Sequence, residues 1–319
     1  MHFRISAWVG RLGNHLIQLS NAIYTAQHYN AHLEVPNHEL LGSMKFDFSG
    51  EKPKTTDALV STFFWPHECF GVPIRHDAIR GNILRQFVLP LFENKMRASF
   101  LRIFARNDVT EDTLVINMRS GSDIFTPNPP PQADYMQPPL SFYQSVIKSG
   151  NYKKCLIVTE KDQKNPVIRA LTERNPQIVL NQHRSVLDDV RLILSATHLV
   201  LAHSTFTWCL ALMSRRLQVL HQPATILIKG IPWIKITTWN IDDYIKPGEW
   251  TASHEQMLLM VNHSISKVSS VTELPDYLPP SAFGVTNDPA QLEAIEASKR
   301  EMAKKMEGQL MAKLNGPVT

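Results

Sequence analysis

Short apolar runs alternate with stretches of helical periodicity through the middle of this chain, and that alternation predicts its architecture. Strand-like runs lie at 114–118, 155–158, 178–180, 199–201 and 217–220. Between them, apolar residues recur at helical spacing over 140–148, 166–173, 186–196 and 206–213, with Pro166 suited to a first helical turn. Strands separated by helices require crossover connections, and crossovers make parallel sheets. The expectation is an α/β fold with a doubly wound parallel sheet over about 106–245.

A similar unit opens the chain. Residues 3–9 read as a strand, Gly10-Arg11-Leu12-Gly13-Asn14 as a glycine turn, and Leu16, Leu19, Ile23 and Ala26 as one face of a helix. A second strand follows at 32–35, closed by Pro36. The pattern is less regular over 40–104, apart from a helix expected at 91–103. These residues set a first domain at 1–105. The remainder, 246–319, is expected to hold a helix near 253–265, a proline-marked linker and a last helix from Asp288 to Asn315 whose lysines form a solvated face or a partner surface.

Parallel sheets bind ligands outside the carboxyl ends of their strands. Three polar clusters fall there: Arg119 to Asp123, Thr159 to Asp162 and His203 to Thr207. Past Leu201 and Ala202, Ser204 and Thr205 stand where a helix begins, and the unpaired N–H groups of a helix start favour an anion. A Ser/Thr cap with no ligand is the commoner form of any single such turn. Arg119 offers a planar fork suited to phosphate, or forms an internal salt bridge. Asp123 would orient that arginine, bind a sugar hydroxyl or act as a base. Asp188 and Asp189 at a helix start are caps, or contacts to a ribose or base. The loop 122–139 is proline-rich and long enough to be a substrate lid.

Composition narrows the ligand. Hydrophobic residues make up 43% and charged residues 19%, which fits a folded chain rather than a disordered one. A net charge of +4 suits a small anion and is too weak to argue for nucleic acid. Cys69, Cys155 and Cys209 form no metal-type pair and read as buried free thiols of a reducing compartment. No secretory signal or spanning segment is legible, so a cytoplasmic location is expected.

Taken in order, four stretches resemble the GDP-fucose-dependent fucosyltransferases, both the α-1,2 enzymes and the protein O-fucosyltransferases. Gly10 to Asn14 is similar to their Gly-x-x-Gly-Asn opening, and Asn117-Met118-Arg119-Ser120-Gly121-Ser122-Asp123 to their His-x-Arg-Arg-Gly-Asp motif. Ile157-Val158-Thr159-Glu160 is similar to their strand ending in Ser/Thr-Asp, and the segment from His198 through His203 to Trp208 to theirs ending Asn-Ser-Ser-Phe-Ser-Trp-Trp. The matches span about two thirds of the chain. Asn117 stands for the motif's histidine, Ser120 for its second arginine and Cys209 for a tryptophan.

That resemblance implies a GT-B architecture, two Rossmann-like domains facing across a cleft, and inverting transfer of fucose from GDP-fucose to a hydroxyl of an oligosaccharide or glycoprotein, without metal or separate cofactor. It implies that Arg119 binds the β-phosphate, that Ser204, Thr205 and Phe206 hold the diphosphate, and that Asn14 reaches across from the first domain. Gly10, Arg11, Gly13, Asn117, Thr159, Glu160, Asp189 and His203 complete the expected donor site, and Asp123, His67 and Glu68 are the candidate bases. Phe64 and Trp65 read first as core aromatics, with stacking on acceptor sugar faces as the alternative. Another donor, such as an activated xylose or rhamnose, and a binding protein without turnover remain as alternatives.

Overall fold

Two sheets carry the chain. The computed structural model describes residues 1–50, 58–100, 109–127, 136–162, 164–181, 185–226, 228–229 and 231–273. Both sheets lie within one unit, Met1–Asp276; the second unit, Tyr277–Thr319, falls outside the described residues, as do the expected last helix and the centre of the 122–139 loop.

The first sheet holds β1 (His2–Ile5), β2 (His32–His38), β3 (Gly42–Asp47) and β4 (Leu59–Ser61), in the order β3-β2-β1-β4. β1 is parallel to β2 and β4, while β3 is antiparallel to β2. β1 stops short of the expected 3–9. Beyond Ser6 the backbone leaves the sheet, and the buried Gln18 side chain takes over the pairing, accepting from Val9 N at 2.8 Å and donating to Ala7 O at 2.9 Å and Thr62 O at 2.7 Å. Gln18 belongs to α1 (Leu12–His28), whose face of Leu16, Leu19, Ile23 and Ala26 is fully buried.

The second sheet contains β5 (Thr113–Met118), β6 (Lys154–Thr159), β7 (Ile178–Asn181), β8 (His198–Val200), β9 (Val219–Pro223), β10 (Lys235–Ile241) and β11 (Val268–Glu273). Its order is β11-β10-β9-β8-β5-β6-β7, parallel except for β11. The intervening helices are α4 (Leu140–Ser149), α5 (Pro166–Arg174), α6 (Val186–Ser195), α7 (Thr205–Met213) and α8 (His254–Asn262). Every residue of β5 is buried, as a strand covered on both faces must be. Leu114, Ile116 and Met118 join Phe142, Val146 and Trp239 in the core on the α4 side. β10, a strand not expected within 106–245, and β11, which lies beyond the expected end at residue 245, extend the sheet; their Thr, Ser and Asn residues give little apolar signal.

A continuous helical stretch runs between the sheets in sequence: α2 (Asp77–Ile83), a π-helical turn (Leu84–Val88) and α3 (Leu89–Phe100). It starts well before the expected 91–103, and residues 101–103 are not described. α7 is the contact between the sheets. It is buried nearly all round and packs on α1, α2 and α6. Arg80 of α2 is buried, donates to Ser20 Oγ at 2.5 Å and Asn21 Oδ1 at 3.1 Å, and lies 5.2 Å from the Trp208 ring. Arg85, from the π turn, donates to Ser214 O at the end of α7 and stacks 4.0 Å from the Trp233 ring.

Gly13 sets the closeness of α1 to α7, because a Cβ at that position would collide with the Phe206 backbone nitrogen. Gly13→Ala is therefore expected to destabilise the fold by about 1–3 kcal/mol, the usual cost of overpacking. Denaturant midpoints checked at constant m-value measure it, and an unchanged midpoint would show that the two helices are free to separate.

Candidate functional site

The strand order places a topological switch point between β5 and β8. The chain runs outward from β5 to β6 and β7, then returns to β8 on the other side of β5 and continues outward to β9 and β10. The loops after β5 and β8 therefore diverge at their carboxyl ends, the place where open α/β sheets form ligand crevices. Arg119 follows β5, and Ser204 follows β8.

Two carboxylates meet Arg119 there. Its Nε donates to Glu160 Oε1 at 2.6 Å, and its terminal nitrogen donates to Asp123 Oδ2 at 2.8 Å. The second oxygen of Glu160 accepts from Ser120 N at 2.5 Å, so this carboxylate clasps the end of β5 from the end of β6. Burial alone would lower the pKa of Arg119, but Glu160 and then Asp123 more than offset it, and the guanidinium titrates above its ordinary value. Asn165 completes the frame. Its side chain donates to Arg119 O at 2.9 Å, its backbone N–H to Ser120 Oγ at 3.0 Å, and its Oδ1 caps α5 through Val167 N at 3.0 Å.

The other wall comes from the first sheet. Arg11, at the start of α1, reaches Asp123 Oδ2 at 3.3 Å and Glu160 Oε1 at 3.6 Å. Two arginines thus face two carboxylates with balanced charge. Arg11 is 69% exposed, so its ion pairs contribute only about 0–1 kcal/mol. Thr205 Oγ1 donates to Asn14 Oδ1 at 2.8 Å, and Cys209 Sγ–H points to Gly13 O at 3.7 Å.

Of the expected residues, Arg11, Asn14, Arg119, Asp123, Glu160 and Thr205 are joined by these contacts, with Gly13 and Phe206 packed beside them. The Phe206 N–H is already capped by Ser204 Oγ at 3.2 Å. Asn117 lies behind the site: it is buried, its amide donates to Val158 O at 3.0 Å and its oxygen accepts from Thr207 Oγ1. His203 is half-buried in the β8–α7 loop. Asp189 occupies the first turn of α6, where Asp188 makes the capping box with Ser185. Thr159 Oγ1, at the end of β6, and Asp123 Oδ1 are buried without a hydrogen-bond partner.

Glu68 is engaged in holding its own turn. Its Oε2 accepts from Thr62 Oγ1 at 2.5 Å, Phe64 N at 3.1 Å and Trp65 N at 3.0 Å, which outweigh the effect of burial and hold its pKa below the ordinary value. The expected core role of Trp65 fails. Trp65 is 56% exposed, edge-on to Phe64, in the loop after β4.

A histidine relay, not legible from the sequence, holds the glycine turn. His38 Nδ1 accepts from Leu40 N at 3.1 Å and Leu41 N at 3.2 Å, so its proton resides on Nε2 and is donated to His15 Nδ1 at 3.0 Å. His15 then carries its own proton on Nε2 and donates to Gly10 O at 3.0 Å, where Gly10 takes a φ of +74°. Burial and the neighbouring His15 lower the His38 pKa from 6.5 to about 4. Cys69, Cys155 and Cys209 are buried free thiols, and burial pushes each pKa up. Among the described residues, no helix is long and apolar enough to cross a membrane.

Because the folded state disfavours the His38 proton that the unfolded chain accepts, the stability His38 contributes is complete above its ordinary pKa of 6.5 and is lost as pH falls towards about 4. The melting temperature should drop through that window, and less steeply in His38→Gln. Parallel pH profiles for the two proteins would refute the relay. No protein-family model, curated protein or solved structure matches this chain.

Proposed function

We propose that the chain is a glycosyltransferase that takes a nucleoside-diphosphate sugar at the β5/β8 switch point, with a GT-B-like arrangement in which the first sheet supplies the facing wall. The observation that carries this reading is the convergence of Arg119, the α7 start and the Arg11–Asn14 turn on one crevice at the carboxyl ends of β1, β5, β6 and β8. The fucosyltransferase resemblance of the same four segments makes GDP-fucose the preferred donor and a glycan hydroxyl the acceptor. Trp65 and Phe64, after β4, are suited to stack on a sugar face.

In the ligand-free chain, Asp123 and Glu160 occupy the arginines that a diphosphate would use. The donor competes for Arg11 and Arg119, which releases Asp123. An acceptor hydroxyl then attacks the anomeric carbon, its proton passes to Asp123, and the bond from that carbon to the β-phosphate oxygen breaks. The electron pair leaves with the nucleoside diphosphate. Charge grows on that leaving group, so Arg119 and Arg11 stabilise the transition state more than the ground state.

Incubation with GDP-fucose and glycan acceptors, reading GDP release, tests the proposal; donors carrying xylose or rhamnose extend the same assay. Arg119→Ala should reduce release about 100- to 1,000-fold, with Arg119→Lys retaining the charge and separating a folding defect from a catalytic one. Asp123→Asn should lower kcat by about 100-fold or more while leaving GDP affinity within a few-fold. Binding without release by the wild-type chain would make it a nucleotide-sugar-binding protein, and release at the wild-type rate by Arg119→Lys and Arg119→Ala alike would remove Arg119 from the reaction.

A further inference from the structure

A cavity of about 520 Å³ opens at the opposite edge of the second sheet, away from the Arg119 cluster. His198, Val219 and Lys235 begin β8, β9 and β10, and all three line it. The rest of the wall comes from the turn before β5, the end of α4 and the turn after it, further residues of β9 and β10, and β11. This volume falls in the usual range for small-molecule sites. None of the residues placed in the transferase site contributes to it.

Hydrogen bonding assigns the donors inside. Trp239 Nε1–H donates to His221 Nδ1 at 3.3 Å, so the neutral His221 ring carries its proton on Nε2 and gives it to the Tyr152 hydroxyl oxygen at 3.0 Å. Burial keeps His221 neutral, lowering its pKa to about 4, and raises that of Tyr152 to about 12. A phenol that accepts at its oxygen still has its O–H to give. His198, whose ring is 5.2 Å from that of Tyr152, has a buried Nδ1 with no partner. Lys235 and Thr237 stand two residues apart on β10 and so share one face, with Ser270 and Thr272 of β11 beside them; Thr237 and Thr272 hydroxyls meet at 3.2 Å.

We propose that this cavity is a second ligand site, which takes a small hydroxylated organic carboxylate on the Tyr152 hydroxyl, the Lys235 ammonium and the His198 imidazole. The three groups suit a negatively charged acceptor, and the Ser270, Thr272 and Thr237 hydroxyls suit a hydroxylated body. Glu111 and Asp112 also line the cavity and disfavour a doubly charged phosphate; Asp112 is held by Lys153 at 2.8 Å.

Titration of the 15N-labelled full chain with glucuronate, lactate and uncharged glucose tests the site, read at the Trp239 indole N–H and by melting temperature. Glucuronate is expected to shift the Trp239 resonance saturably and raise the melting temperature, glucose to do neither, and GDP not to displace the carboxylate. Tyr152→Phe and Lys235→Met should each weaken binding about tenfold or more, and Lys235 is exposed, so that variant keeps its fold. Absence of a saturable shift with both carboxylates, an equal response to glucose, displacement by GDP or full affinity in both folded variants overturns the proposal. Loss of transferase activity leaves each of these readouts unchanged.

Discussion

The burial of α7 on nearly all sides is the constraint from which the arrangement of both sheets follows. A surface helix needs one apolar stripe, whereas α7 presents Leu210, Ala211, Leu212 and Met213 in succession, all fully buried. Such a helix is stable only when neighbours cover each face, and here they come from both sheets: α6 from its own, α1 and α2 from the other. Covering α7 brings α1 close enough that only a glycine fits at Gly13, and the same closeness carries Arg11 to Asp123 and Glu160. The facing of the two polar turns is thus a consequence of apolar packing.

Charge compensation in the crevice has a related cause. Arg119 is held at the end of a fully buried strand, where an unpaired cation would be costly, and Glu160 and Asp123 remove that cost. The same pairing gives the ligand-free chain a neutral site. An anion arriving there gains two arginines only by displacing two carboxylates, so its net gain is smaller than two bidentate contacts would suggest. On the proposed reading, a diphosphate, with several oxygens for each guanidinium, would be better matched to that exchange than a single carboxylate.

The second sheet was largely legible because its strands are continuous apolar runs bounded by helix caps. Pro166 opens α5, Asp188 joins the cap of α6 and Ser204 caps α7, as expected, while Asn165 and Ser185 supply the other two caps. β3, β10 and β11 escaped notice for a common reason. β10 is rich in Thr and Asn, β11 is an exposed edge strand, and in β3 and just past it Met44, Phe46 and Phe48 alternate too briefly to stand out. At the site, the sequence points to Arg119 and to Glu160 separately, but their pairing spans 41 positions and depends on β5 lying beside β6. The histidine relay needs β2, α1 and the glycine turn together, and no spacing predicts it.

Asn117 holds the end of β5 to its neighbours from behind the Arg119 cluster. Its side-chain amide is buried, donating to β6 and accepting from α7. Each bond joins a part of the crevice to another: β5 to the strand that carries Glu160, and β5 to the helix that begins at Thr205. Replacing it with an apolar residue would leave Thr207 Oγ1 and Val158 O to find other partners, at a cost of about 1–3 kcal/mol for each group left unsatisfied. Asn117 thus ties β5 to both β6 and α7, and so fixes the spacing of Arg119 from the α7 start.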